Sequence, residues 1–207
     1  MSHTVEGGPG SVRPGGRTAR TRAAVLAATR AELVETGLAR MTVEKVAVRA
    51  GVAKTTVYAR WRDISGLIVD LLSELTLRTV PVPDTGSLEG DLRQVARSLL
   101  ALFRSEPDRV TFEAVLATAL QDARARAALS AFYVYRLDAT AELVDRALAR
   151  GEVPPGTDRL EVVRTLSSTF YYRTFFTGEP VTEQDADRTA AVAAHAAKAG
   201  LLVTPAP

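Results

Sequence analysis

Lys54, Thr55, Thr56 and Tyr58 fall within five residues, and Arg60 and Arg62 follow directly. As a set they suit contact with a polyanion better than bond-making. An ammonium can donate to guanine O6 and N7 or to a phosphate, and a threonine methyl such as that of Thr55 can touch the methyl of thymine. The hydroxyls of Thr56, Tyr58 and nearby Thr42 suit phosphate oxygens, which hold a protein in register without reading sequence. Arg60 and Arg62 add charge for the same backbone. The rest of the chain offers little for catalysis. Cysteine is absent, which removes thiolate nucleophiles, thiolate zinc sites and disulfides. His3 and His195 are the two histidines, and neither has a nucleophile or carboxylate at a useful spacing. No HExxH or EF-hand loop occurs, so no catalytic residue, metal or cofactor is expected. The glycines of GGPGSVRPGG, residues 7–16, lack the preceding strand that a phosphate loop needs.

Two short helices must position these donors. Thr42 stands where an N-cap belongs, with Glu44 in the first turn, where the helix dipole favours it. Val43, Val46, Ala47 and Ala50 follow at i, i+3, i+4 and i+7, the spacing of one apolar face. Gly51 ends that helix, because glycine accepts the positive φ of a tight corner, and Val52 can plug the corner. A second short helix starts near Lys54 and turns Val57 and Trp61 inward. Short helix, glycine corner and short helix make a helix-turn-helix, whose second helix lies in the DNA major groove with its N-terminal residues toward the bases. Taken alone, the same pattern also fits an ordinary helical corner. Before this unit, a helix from about Thr18 to Gly37 puts Val25, Leu26, Ala28, Thr29 and Leu33 on one face. After it, Asp63 caps a longer helix with the stripe Ile64, Leu67, Ile68, Leu71, Leu72 and Leu75.

Charge is distributed unevenly along the 207 residues. Residues 13–62 hold 11 Lys and Arg against 3 acids, whereas residues 81–207 hold 14 against 17. A basic first quarter on a mildly acidic remainder fits either a polyanion-binding head or a solvated face with a basic tail. Residues 1–16, rich in glycine, proline and serine, are expected to be a disordered arm. No apolar leader and no stretch of 18 uncharged apolar residues occurs, so a cytoplasmic, nucleoid-associated protein is expected.

VPVPDTG at 80–86 forbids helix and divides a head, residues 17–79, from a body, residues 80–207. The body reads as five helices, making about nine in an all-α chain: one after Ser87, one from Pro107 to about Gln121, one over 123–150, one over 158–177 and a last one near 183–200. Thr182 and Asp185 have the spacing of a capping box for the last. A pocket can form between such helices, and Phe103, Phe112, Leu116, Phe132, Tyr133, Phe170 and Tyr171 are the candidate lining, although aromatics at helical spacing are commonly core. Arg136 and Arg173 lie in apolar helices, where a cation needs an acidic partner or an anionic ligand; a structural salt bridge is the simpler expectation for both. The alanine-rich helix DADRTAAVAAHAAKAGLLV allows close approach of a neighbour, and an interface with helix 158–177 and symmetry mates is expected there. An enzyme and a helical dimer that binds protein instead of DNA are the rival readings.

Residues 20–75 resemble the DNA-binding domain of the TetR (tetracycline-repressor) family. VLAA with Gly37, MTVEKVAVRAGVAKTTVYARW and Leu67 carry the resemblance. VPVPDTGSLEGDLR, ALARGEVPPGTD and FYYRTFFTGEP resemble a C-terminal domain of one branch of these regulators. The resemblance implies a homodimeric transcriptional regulator, usually a repressor, on a palindromic double-stranded DNA operator. It also implies a small-molecule effector bound by the C-terminal helices and a dimer bundle formed by the last two. Three positions depart from the pattern: Ala53 replaces a frequent serine, Trp61 a phenylalanine, and Ile64 a lysine that reaches a phosphate. Arg60 or Arg62, helped by an arm of Arg13, Arg17, Arg20 and Arg22, is expected to stand in for that lysine.

Overall fold

In the computed structural model, which describes residues 16–204, the regular elements are all helical apart from one isolated bridge between Thr157 and Val203. The head consists of α1 (Arg17–Thr36), a 3-10 turn (Leu38–Arg40), α2 (Val43–Ala50), α3 (Lys54–Trp61) and α4 (Ile64–Thr79). The body consists of α5 (Leu88–Arg104), α6 (Glu106–Ala119), α7 (Ala123–Ala149), α8 (Arg159–Tyr171) with a π-helical turn (Tyr172–Thr177), and α9 (Glu183–Lys198). His3, Arg13 and nearly all of the arm expected over residues 1–16 lie outside the described residues, whereas Arg17, Arg20 and Arg22 belong to α1.

Local chemistry sets these boundaries. Thr42, Asp63, Ser87, Asp122, Asp158 and Thr182 each stand at an N-cap and accept a first-turn backbone N–H. Such a cap contributes on the order of 1 kcal/mol. At α9 the box is reciprocal: Thr182 accepts from the Asp185 N–H, and Asp185 accepts from the Thr182 N–H at 2.9 Å. Hydrogen bonds from the Thr182 side chain and backbone and from Arg173 hold the Asp185 carboxyl at about 2.

Apolar stripes then close two cores joined through α4. In the head, Val25, Leu26 and Leu33 of α1 meet Val46 of α2, Val57 and Trp61 of α3 and Leu67 of α4, all 6 % exposed or less. α4 continues into the body, where Leu72, Leu75 and Thr76 are buried and α4 packs on α7 and α5. Two arginines of α7 tie down the connection after α4: Arg136 donates to the Val80 carbonyl at 2.8 Å, and Arg146 donates to the Pro83 carbonyl.

Two body elements add to or differ from expectation. The alanines of α9 pack on α8, the helix expected beside them, and also on α5: Ala186, Ala190, Ala193, Ala194 and Ala197 are buried there. Small side chains permit close approach to both of these helices. The helix expected over 158–177 widens at Tyr172 into a π turn that ends at Gly178 with φ 66°. The widened turn keeps Phe175 against Phe103 at 5.0 Å between ring centres, while Tyr172 and Phe176 face outward and stack on each other at 6.3 Å.

Candidate nucleic-acid interface

The corner between α2 and α3 depends on Gly51, whose φ of 66° places it in the left-handed region. Its N–H returns to the Val48 carbonyl at 3.1 Å, and the Val52 N–H reaches the Ala47 carbonyl at 3.0 Å. The corner turns Val57 and Trp61 into the core and leaves Lys54, Thr55, Thr56, Arg60 and Arg62 exposed. Ala50 and Val52 are half-buried against the same core. Ala53 offers no side-chain cap to α3, so the first amides of that helix have no side-chain acceptor.

Two hydroxyls are engaged within the head. Tyr58 donates to Glu44 Oε1 at 3.0 Å, and that bond raises the Tyr58 phenol above its ordinary range. The Thr42 oxygen takes the Lys45 N–H at 3.2 Å. The basic residues also divide into two groups. Arg22, Arg30, Lys45 and Arg49 form ion pairs inside the molecule, with Asp70 and Glu74, Asp108, Glu32, and Glu32 with Glu35 respectively. Arg22 is therefore removed from the arm and fixed to α4. Lys54, Arg60, Arg62, Arg17 and Arg20 are exposed and form no ion pair with the described residues. Arg60 lies over the Trp61 ring, 5.3 Å from its centre.

Trp61 brings an N–H that must be satisfied when buried. Its Nε1 donates to Asp70 Oδ2 at 2.8 Å, and the same carboxylate takes Arg22 Nε at 3.0 Å. Burial raises the Asp70 pKa, but the bonds from Arg22 and Trp61 outweigh burial and leave it lowered. This triad joins α1, α3 and α4, so α3 is fixed by a polar bolt as well as by apolar packing.

The turn from α3 to α4 is tight. Arg62 has φ 64°, a positive value uncommon for a residue with a side chain. The Asp63 N–H reaches the Trp61 carbonyl at 2.7 Å across it. A Cβ added at Gly66 would stand 2.1 Å from the Trp61 carbonyl oxygen. Gly66→Ala should therefore push α4 away from α3 and lower stability by about 1–3 kcal/mol. A chemical denaturation midpoint equal to that of the wild type would refute this close approach. Ile64, at the first turn of α4, is half-buried against the core and presents no charge.

The body holds a second cluster. A cavity of about 50 Å³ lies between α4, α5, α7 and α8, with Thr76, Leu99, Phe132, Tyr133, Arg136 and Tyr171 on its walls. Other members of the expected lining lie elsewhere. Phe103 and Phe170 flank an open cleft near Pro180. Phe112 is 1 % exposed and sits edge-on to Phe103 at 5.5 Å, and Leu116 is half-buried on α6 and lines neither space. Arg173 forms the expected salt bridges, with Glu179 and Asp185, each at 3.0 Å. Arg136 does not: it is 8 % exposed, it donates to the Val80 carbonyl, and no carboxylate of the described residues pairs with it. Burial pushes its guanidinium pKa down, opposed by the Tyr171 and Tyr135 phenols.

Glu44, Asp70, Gly66 and Val80 take functional positions that the sequence did not signal. The indole N–H of Trp61 required an acceptor without saying which; the other three gave no local sign.

Comparison with known proteins places these features in a family. The family described as "Bacterial regulatory proteins, tetR family" matches residues 25–71. The family described as "Tetracyclin repressor-like, C-terminal domain" matches residues 82–193. The HTH-type transcriptional regulator AqdR of Rhodococcus erythropolis is 34 % identical over 150 residues, 72 % of each chain. An HTH-type transcriptional regulator of Bacillus subtilis, YdeS, is 29 % identical over 163 residues, 79 % of this chain and 82 % of that one. Among solved structures, a TetR family transcription regulator superposes with a TM-score of 0.70 at 28 % identity, covering 90 % of this chain and 100 % of the other. The SmeT–triclosan complex has the same fold, with a TM-score of 0.65 at 23 % identity over 90 % and 99 %.

Proposed function

The chain belongs to the TetR family of DNA-binding transcriptional regulators, and from that premise we propose a homodimeric repressor released from a palindromic operator by a small molecule. The observation that carries the reading is the outward row at the start of α3: Lys54, Thr55 and Thr56 exposed, beside cations that the protein's own carboxylates leave unpaired. Residues 17–79 serve as the DNA-binding domain and residues 80–207 as the effector and dimer body. Lys54 and Thr55 face base edges; Thr42, Thr56, Tyr58, Arg60 and Arg62 face phosphates, and Arg17 and Arg20 extend the track from the start of α1. Tyr58 must exchange Glu44 for a phosphate to do so, because its single proton serves one acceptor at a time. Arg60 and Arg62 supply the charge that Ile64 cannot.

A single head of this size binds weakly, and two recognition helices need to sit about 34–36 Å apart to reach successive major grooves. The last two helices offer a surface for pairing. Tyr172 and Phe176 of the π turn after α8 and Val192 of α9 are 61 %, 73 % and 55 % exposed. The stacked pair Tyr172 and Phe176 gives a second chain an apolar surface to cover. That SmeT, of like fold, is found with triclosan accords with an effector in the body here.

Sedimentation at micromolar concentration should give twice the mass of the chain, and Phe176→Glu with Val192→Glu should give monomers with operator affinity at least a hundredfold weaker. A wild-type monomer that still binds DNA would overturn the dimer reading.

A further inference from the structure

We propose that Arg136 reads an anionic effector, a carboxylate on an apolar aromatic or aliphatic body, and that it accepts the anion by releasing the Val80 carbonyl. The inference rests on the ligand-release reading above and names both the chemical class of the effector and the latch that the effector opens.

A buried cation without a counter-charge is costly, and proteins normally supply a partner. α7 contains its own control. Arg146, ten residues along the same helix, also holds a carbonyl of the α4–α5 connection, and it has Asp84 and Asp91 at 3.7 and 3.8 Å. Its side chain is 31 % exposed. Arg136 does the same structural work on Val80, is more deeply buried, and lacks the carboxylate. It faces a cavity walled mainly by apolar and phenolic side chains, Leu99, Phe132, Tyr133 and Tyr171 among them, with the hydroxyls of Thr76, Thr140 and Ser167 beside them and no carboxylate of the described residues. A guanidinium is a planar fork that matches a carboxylate with two parallel bonds, and the tyrosine hydroxyls can donate to the same anion. The apolar walls fit the remainder of an amphiphilic acid and give a fully hydrated small anion nothing to bury.

The size of the cavity links binding to movement. About 50 Å³ has room for a water or two, whereas pockets for ligands of ordinary size run to about 300 Å³ or more. An effector must therefore enlarge the space, and Val80 is on its wall. Val80 caps α4, its N–H bonded to the Thr76 carbonyl at 2.8 Å. α4 also carries Asp70, which holds Trp61 of the recognition helix and Arg22 of α1. Taking Arg136 from Val80 frees one end of a helix whose other half fixes α3. A ligand that prefers the open cavity must then weaken DNA binding, and DNA must weaken the ligand.

The test uses 2-naphthoate and octanoate, each beside its neutral carboxamide. Titration calorimetry on full-length wild type, Arg136→Lys and Arg136→Met gives the affinities. Fluorescence anisotropy with a bound genomic fragment gives release of the wild type. The expected result is that at least one carboxylate binds wild type tenfold or more tighter than its amide and releases the fragment. Arg136→Lys retains part of that preference, and Arg136→Met loses it. If Arg136→Met does not fold, the wild-type acid–amide ratio and the lysine variant decide. Amides that bind and release DNA as well as the acids do would overturn the anionic class while leaving ligand release standing. Carboxylate binding without release would overturn the latch. Failure of both acids to bind wild type would overturn this inference and leave release by a different class of small molecule standing.

Discussion

Trp61→Ala is expected to lower the stability of the head by about 3–5 kcal/mol, the usual cost of emptying a large aromatic site, and to abolish operator binding at growth temperature. Trp61 is 6 % exposed within the core, and α3, which carries it, packs on α2 and α4. Removing it leaves a void and strips Asp70 of one of its donors. Trp61→Phe separates the two effects. It keeps most of the apolar plug and leaves Asp70 held by Arg22 alone, so the loss should shrink to about 1–3 kcal/mol, the cost of an unmet buried hydrogen bond. Acid should loosen the same joint. The Asp70 pKa is lowered in the folded state, so its contribution is complete above the ordinary carboxylate range near pH 4 and is lost as pH falls through its depressed value. Asp70→Asn should be less stable at pH 7 and flatter in its pH dependence below pH 4. Urea denaturation from pH 7 to pH 2, followed by Trp61 fluorescence where the indole is present and by circular dichroism elsewhere, measures all three variants; equal midpoints for wild type and Trp61→Ala would show that the ring is not the keystone of the head.

Lys54→Ala combined with Thr55→Ala should leave folding intact and reduce operator affinity by about two to four orders of magnitude. Both side chains are exposed, and neither takes part in the core or in an ion pair among the described residues, so truncation creates no cavity. A good base contact discriminates by about 1–3 kcal/mol, and the two-fold operator proposed above would meet each change twice. Arg60→Ala should behave differently: a phosphate contact carries no sequence information, so operator and unrelated DNA should weaken alike. The salt slope should fall by about 0.9 for each phosphate that the variant no longer neutralises. Anisotropy titrations between 50 and 300 mM salt separate the two kinds of variant. A Lys54, Thr55 double variant with wild-type affinity would place the base-reading surface elsewhere.

The parts of this architecture that follow local rules were legible in the sequence. Thr42, Asp63, Ser87 and Thr182 announce helix starts through side-chain oxygens, Gly51 marks the corner, and the periodicity of Val57 with Trp61 separates the inner face of α3 from its outer one. What was not legible depends on distant parts of the chain. Asp70 as acceptor for Trp61, Arg22 on Asp70, and Tyr58 on Glu44 all require the fold before the partners meet. The alanines of α9 state that some helix comes close; helix 158–177 is the neighbour expected, and only the packing adds α5. Arg136 invited a carboxylate, but its partner is a backbone carbonyl, which has no side-chain signature. The π turn at Tyr172–Thr177 likewise has no pattern of its own: the same aromatics would continue an α-helix.

At the centre stands the claim that α3 of each of two paired chains enters the major groove. Selection of bound sequences from a randomised duplex pool by the purified full-length protein, at about 150 mM salt, tests it most directly. The pool should converge on an inverted repeat whose half-sites lie about one helical turn, or a multiple of it, apart, with that preference lost in the Lys54, Thr55 double alanine variant. A pool that stays random, or an enriched repeat that the double variant selects equally well, would contradict it.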